Sequence, residues 1–387
     1  MARNPTLYHN MLVSTRVGGG EKVAIAIHKH VDAARPGSGE LLVPAGGESE
    51  RTVSAESLAY RPYDLERLTS RRRLASLVAN GDLSLKLRGA SRGILHVHSP
   101  FVYGALRPLR AVSKIRTILH LHLDYTAEQL QWALARAPDL VIVCAGFMER
   151  VVAETLRRGN HGRTRIAVAI NAVDLARFAP GDKRKEREAL GVAADRPVYL
   201  MAANLAPHKG QETAIRAVAH LKERGYRPLL WLVGEEREEA GAYKAKLHTL
   251  VRELGAGDVV EFLGFRNDMP RLLHAADCLL LPSVSEGLPL SILEAQASKV
   301  TVVAAPTAGI PEVVKHGETG FLIAADDANG YADVLESLAN NAALAGRVSD
   351  AAYRQVVERC GLDRYCARIL EEYDEMLSVD RAMEPAA

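Results

Sequence analysis

Short aliphatic or β-branched runs alternate with stretches of helical periodicity along the whole chain, and no other feature limits the fold as much. Strands separated each time by a helix run parallel, and the helices that carry the chain back must cover the sheet faces. The class is therefore α/β. Candidate strands of the first half are Leu41 to Val43, Ile94 to His98, Arg116 to Leu123, Leu140 to Cys144 and Ile166 to Ile170, with helical patterns such as Glu21 to Val31 and Phe147 to Arg158 between them. A polar, charged segment, Phe178 to Pro197, interrupts the alternation. A second set follows: Val198 to Ala202, Leu229 to Val233, Val259 to Leu263, Cys278 to Leu281 and Thr301 to Ala304. At 387 residues the chain exceeds the size at which one core stops growing. We expect two Rossmann-like domains, 1–177 and 178–358, hinged at Phe178 and facing a cleft.

Composition removes several classes. No apolar run approaches the roughly 20 residues a membrane-spanning helix needs, and the start, MARNPTLYHNML, lacks the layout of a signal peptide, so a cytoplasmic protein is expected. The four cysteines form no C-x-x-C pair, which suggests buried thiols rather than a disulfide framework or zinc knuckle. Net charge is only +2, yet between Arg61 and Arg116 stand Arg67, Arg71, Arg72, Arg73, Lys86, Arg88, Arg92, Arg107, Arg110 and Lys114, with few acids. Such a stretch could meet an anionic membrane or a phosphorylated acceptor, or form a solvated helix face; no nucleic-acid partner is expected.

Pro282 to Ser298, PSVSEGLPLSILEAQAS, leaves an apolar strand and turns into a helix, with Glu286 and Glu294 either side of the turn. In open parallel sheets ligands collect at the carboxyl ends of strands, where helix N-termini present free N–H groups. Carboxylates there can accept from vicinal hydroxyls, the feature common to a hexose and a ribose. Taken alone, two glutamates at a helix start can equally be dipole complements. In the first half, Ser14 to Val31 sets three glycines before an amphipathic helix, without G-x-G-x-x-G spacing. Two H-x-H pairs, His96 with His98 and His120 with His122, end apolar strands; each pair shares a strand face and could be zinc ligands or hydrogen-bonding cleft residues. No D-x-D pair occurs, so no metal is expected on a diphosphate.

The stretch from Pro282 resembles the signature of the family-4 retaining glycosyltransferases of GT-B fold, and the likeness continues through Val302 to Ile323, VVAAPTAGIPEVVKHGETGFLI. The resemblance implies transfer of a sugar from a nucleotide-sugar donor, UDP-linked before GDP-linked, to a glycan, lipid-linked or small-molecule acceptor, with retention and without cofactor. It makes Glu286 a contact of the donor sugar and Glu294 the partner of the ribose hydroxyls, with Gly287, Leu288, Pro289 and Leu290 cradling phosphate and sugar. Met201 to Ile215, MAANLAPHKGQETAI, places Lys209 as the donor-phosphate lysine, while Asn204 stands where the family usually has arginine. Arg266 is the candidate for the missing charge and for the nucleobase contact, Gly19 and Gly20 for a donor-facing loop, and His122 for a catalytic residue. A terminal helix, 359–378, is expected to cross back onto the first domain with Leu362, Tyr365, Ile369, Tyr373 and Met376 on one face. A nucleotide-sugar epimerase and a non-catalytic nucleotide-sugar-binding protein are the alternatives.

Overall fold

A computed structural model of the chain describes residues 8–87, 93–236 and 241–382. Arg88 and Arg92 of the basic stretch lie outside them. The chain forms two units, Met1–Ile170 with Leu362–Ala387, and Asn171–Gly361.

The sheet of the first unit contains β1 (Tyr8–Met11), β2 (Gly39–Pro44), β3 (Tyr60–Tyr63), β4 (Ile94–Val97), β5 (Arg116–Leu121), β6 (Leu140–Val143) and β7 (Arg165–Val168), in the order β3-β2-β1-β4-β5-β6-β7. Every pairing is parallel. The second unit has β8 (Val198–Ala202), β9 (Leu229–Val233), β10 (Val260–Gly264), β11 (Cys278–Leu281), β12 (Thr301–Ala304) and β13 (Phe321–Leu322), ordered β10-β9-β8-β11-β12-β13 and likewise parallel. The central strands are buried along their whole length, as helices on both faces require. In the second unit Tyr199 and Met201, Leu230 and Leu232, Cys278 and Leu280 take alternate positions along their strands and share one core with Ala214, Ile215 and Val218 of the helix Gln211–Glu223.

Besides the polar β1, two strands escape the apolar pattern, and both are edges. Pro62 sits inside β3, which only an edge strand tolerates because proline donates no ladder hydrogen bond. β13 has just two residues. The segment ahead of Phe178, where the hinge was expected, is already anchored in the second unit: Asn171 Nδ2 donates to the Leu288 carbonyl (2.7 Å) and Ser298 Oγ to that of Phe178 (3.2 Å). Where the chain leaves this unit, Gly361 bridges Val173, so its two ends lie side by side.

The terminal helix Leu362–Ala382 belongs to the first unit and buries Tyr365, Cys366, Ile369, Tyr373 and Met376 there, as its apolar spacing predicts. Tyr373 stacks on Tyr8 of β1 at 5.1 Å between ring centroids, and Arg165 binds Glu372 at 2.9 Å. Ending the chain at Gly361 would uncover these partners. Each such side chain contributes about 1.5–3 kcal/mol by burial, so the first unit of the shortened chain should melt well below that of the intact protein. An unchanged melting temperature in calorimetry would show the helix to be dispensable.

Candidate functional site

In each sheet the direction of winding reverses once, between β1 and β4 in the first unit and between β8 and β11 in the second. The two loops that leave such neighbouring strands head apart, and the space between them is where open α/β sheets take ligands.

In the second unit these loops bring Lys209 and Glu286 together. Lys209 closes the single 3-10 turn Pro207–Lys209 after β8, Glu286 follows β11, and the ammonium reaches both carboxylate oxygens, at 2.8 and 2.9 Å. The pair is 17% and 6% exposed, so it is an ion pair largely removed from water. Such a pair is stable only with good geometry, and deleting one partner strands the other charge. The loops are laced directly: Val284 N–H donates to the His208 carbonyl (2.9 Å) and Ser283 Oγ to that of Lys209 (3.2 Å). Gly210 makes this approach possible. It is left-handed at φ +80°, and a Cβ there would lie 2.0 Å from the Pro282 carbonyl oxygen. The loop after β12 braces the same turn, with Thr307 Oγ1 on the Ser283 carbonyl and Gly309 N–H on that of Gly287.

Gly287 and Leu288 are buried, Pro289 and Leu290 half-buried at the start of the helix Leu290–Ala297, whose first-turn N–H groups have no intrahelical partner. Glu294 is half-buried just over one turn into that helix. Arg266 is committed elsewhere: its Nε and Nη2 hold the two oxygens of Asp268 at 2.7 and 2.6 Å, so its charge is neutralised locally. The Asn204 carbonyl accepts from Gln211 Nε2, bracing the Lys209 loop through its backbone.

At the reversal of the first unit stand four histidines in two layers. Below, His96 Nε2 meets His120 Nδ1 at 3.2 Å with ring planes 9° apart. Above, His98 Nδ1 meets His122 Nε2 at 2.8 Å with planes 7° apart. The layers stack, with centroids 4.4 Å apart for His96 on His98 and 4.2 Å for His120 on His122. Side chains two apart on neighbouring parallel strands produce this array.

Proton counting fixes the direction of the lower layer. The Tyr373 hydroxyl donates to Asn10 Oδ1 (3.1 Å), so His96 Nδ1, 2.7 Å away, supplies the proton that Tyr373 accepts. A neutral His96 then has a bare Nε2, which accepts from His120 Nδ1–H, and the bare Nε2 of His120 accepts from the Tyr365 hydroxyl (3.3 Å). All four ring nitrogens and both tyrosine hydroxyls are satisfied with both rings neutral. In the upper pair one proton lies between the rings and one remains, so the outer nitrogens, His98 Nε2 and His122 Nδ1, present one donor and one acceptor. Both are buried without a protein partner. The two nitrogens lie at opposite ends of the pair, and each suits a hydroxyl of its own, since a hydroxyl can give or take a hydrogen bond.

His96, His98 and His120 offer ligand atoms within 4.8 Å of one another. Imidazole lone pairs lie in the ring plane, however, and rings stacked face to face direct them along separate parallel planes. The array is built for hydrogen bonding, not for converging on an ion.

Gly20 serves His122: a Cβ there would meet the ring Cδ2 at 3.3 Å. Gly19 opens the helix Gly19–Ala34, and Gly18 N–H at its cap donates to the Glu21 carboxylate (3.1 Å). A carboxylate therefore already complements this helix start, which disfavours a phosphate there. The sequence reading missed the footing of the array, Asn10, Tyr365 and Tyr373; the unusually polar β1 was its visible signal.

Residues 182–355 match the family model described as Glycosyl transferases group 1. A D-inositol 3-phosphate glycosyltransferase 2 of Catenulispora acidiphila is 37% identical over 181 residues, 45% of this chain and 42% of that protein. A D-inositol 3-phosphate glycosyltransferase of Streptomyces scabiei is 34% identical over 248 residues, 62% of this chain and 54% of that one. The matches thus span about half the length of these curated relatives. Among solved structures, Anabaena HepE in complex with UDP and glucose superposes with a TM-score of 0.82 at 21% identity, covering 95% of this chain and 99% of that one. A sucrose-phosphate synthase of Thermosynechococcus elongatus gives 0.77 at 19% identity, covering 96% and 99%.

Burial lowers His96 from 6.5 to about 3 and His122 to about 4, and pushes His98 and His120 down as well. Below pH 6.5 the unfolded chain takes up protons that the folded one refuses. Stability is therefore complete above pH 6.5 and falls as the pH drops toward the folded values, by about 1.4 kcal/mol per pH unit for each such histidine. His96→Gln keeps an amide for Tyr373 and His120 but removes one titrating group. Urea unfolding between pH 6 and 4 should show a slope smaller by about that amount; an undiminished slope would mean that His96 protonates freely in the folded protein.

Proposed function

We infer that this chain, of GT-B fold and similar over residues 182–355 to the group 1 glycosyl transferases, moves a sugar from a nucleotide-sugar donor to an acceptor hydroxyl. The observation that carries the reading is the Lys209–Glu286 pair at the strand reversal of the second unit, beside a helix start. The donor is a UDP-sugar; HepE structures hold UDP and UDP-glucose, which supports that choice over a GDP-sugar.

In this reading the diphosphate reaches Lys209, and Glu286 is released to accept from hydroxyls of the donor sugar. Gly287 to Leu290 cradle phosphate and sugar, and Glu294 receives the ribose hydroxyls. As the bond between the sugar and the β-phosphate breaks, negative charge gathers on the phosphate, and a cation already in place stabilises it as it grows. The acceptor oxygen bonds to the anomeric carbon from the face the phosphate leaves, and the phosphate oxygen takes the acceptor proton, so configuration is retained. Lys209 and the helix start supply the stabilisation a metal would otherwise give. In the first unit the outer nitrogens of His98 and His122, one a donor and one an acceptor, each orient a hydroxyl of the acceptor or the donor. The acceptor is a glycan, a lipid-linked glycan or a small polyol, the last in keeping with the inositol phosphate acted on by the relatives. The basic stretch holds the chain peripherally at an anionic membrane, on the cytoplasmic side.

Asn204 favours a second reading, donor binding without transfer, because Lys209 then faces the phosphates without the usual arginine and Arg266 is tied to Asp268. Turnover decides between them. With UDP-sugar and an acceptor panel in EDTA, the chain should transfer sugar, and Lys209→Ala should depress kcat more than donor affinity, since the charge it meets is largest in the transition state. Equal losses of binding with kcat intact would remove that role. Glu294→Ala should weaken UDP binding by about 1–3 kcal/mol in calorimetry, the worth of a charged hydrogen bond. Unchanged affinity for UDP would take Glu294 out of the site.

A further inference from the structure

The helix Arg73–Lys86 is apolar on two opposite faces. One is docked: Ala79, Asn80 and Leu83 are buried, and Asn80 donates to the Ala105 carbonyl (3.1 Å) while its Oδ1 accepts from Leu109 N–H (3.2 Å). The other carries Leu74, Leu77, Val78 and Leu85, exposed by 76%, 53%, 55% and 53%. At about 100° per residue these four, with Gly81, fall in one sector about 100° wide centred opposite Leu83. Val112, 77% exposed, ends the helix Arg107–Val112, which packs against this one. Isolated surface leucines need no explanation; a continuous stripe on a firmly anchored helix does.

Its charges are equally uneven. Arg71, Arg72 and Arg73 are exposed at the start of the helix, and among the described residues none has a carboxylate partner. Of the nearby acids, Asp64 pairs with Arg67 and Asp82 with Lys86, and Glu66 forms an ion pair with none of the three arginines. A second copy docking stripe to stripe would set three unpaired arginines against three. A negatively charged lipid surface satisfies both features, and no helix among the described residues is long and apolar enough to cross a membrane.

We propose that the helix Arg73–Lys86 lies in the plane of an anionic membrane, with Leu74, Leu77, Val78 and Leu85 at the acyl boundary and Arg71 to Arg73 among the headgroups. This rests on the peripheral association proposed above and assigns it to one element.

Sedimentation with phosphatidylglycerol vesicles tests it, using phosphatidylcholine vesicles as the uncharged control. The intact chain should bind the former and not the latter. Leu74→Ser with Leu77→Ser, and separately Arg71→Ser, Arg72→Ser and Arg73→Ser together, should each lower the partition coefficient at least tenfold without changing the melting temperature, since all five side chains are exposed. Because Cys144, Cys278, Cys360 and Cys366 are all buried, Leu77→Cys also accepts a single environment-sensitive dye, whose emission should shift to the blue on anionic vesicles. Undiminished binding by both variants would overturn the assignment and leave peripheral association standing on another surface. No binding of the intact chain to either vesicle would overturn both. A concentration-dependent dimer abolished by Leu77→Ser would give the stripe to a second copy instead.

Discussion

Parallel strand pairing is the constraint on which the rest depends. Each strand must be followed by a crossover that covers a face of the sheet, and a sheet covered on both faces must reverse its winding once. At that point two loops diverge and leave the carboxyl ends of two strands uncovered. In the second unit the uncovered ends are those of β8 and β11, and Lys209 and Glu286 occupy them. In the first they are those of β1 and β4, and the histidine array begins there and extends onto β5. Both candidate sites are consequences of topology before they are consequences of side-chain choice.

The sites differ in how they hold charge. The second unit keeps a cation and an anion in contact, nearly out of water, so either becomes available only when something replaces its partner. The first unit keeps four rings neutral by burial, and the lower two also by a hydrogen-bond chain that runs from Asn10 through Tyr373 to Tyr365. One arrangement suits a ligand that brings its own charge, such as a diphosphate. The other suits hydroxyls. The returning helix is therefore more than a lid on the first core, because Tyr365 and Tyr373 set the tautomers of the layer beneath His98 and His122.

Much of this was legible in the sequence because buried parallel strands read as apolar runs. β8, β9, β11 and β12 stand where the pattern puts them, and the terminal helix buries the face its spacing marks out. Edge strands were not legible: β3 contains a proline, and β13 is too short to show a period. Lys209 and Glu286 stood out individually, but 77 residues separate them and only the β8–β11 pairing makes them a pair. Arg266 looked available until the geometry gave it to Asp268 two residues on. His96 and His120 read as possible metal ligands, since spacing reports a shared strand face and not the orientation of ring planes. Of the polar residues of β1, Tyr8 and Asn10 owe their place to Tyr373, which reaches them from more than 350 residues away.

We propose that the Lys209–Glu286 pair is a donor site held closed by its own ion pair. A crystal structure of the chain with UDP-glucose tests it most directly. A diphosphate oxygen should lie within roughly 3 Å of Lys209 Nζ, a charge-assisted distance, with Glu286 turned toward the sugar and Glu294 toward the ribose. Nucleotide bound elsewhere, with the Lys209–Glu286 contact intact, would contradict it.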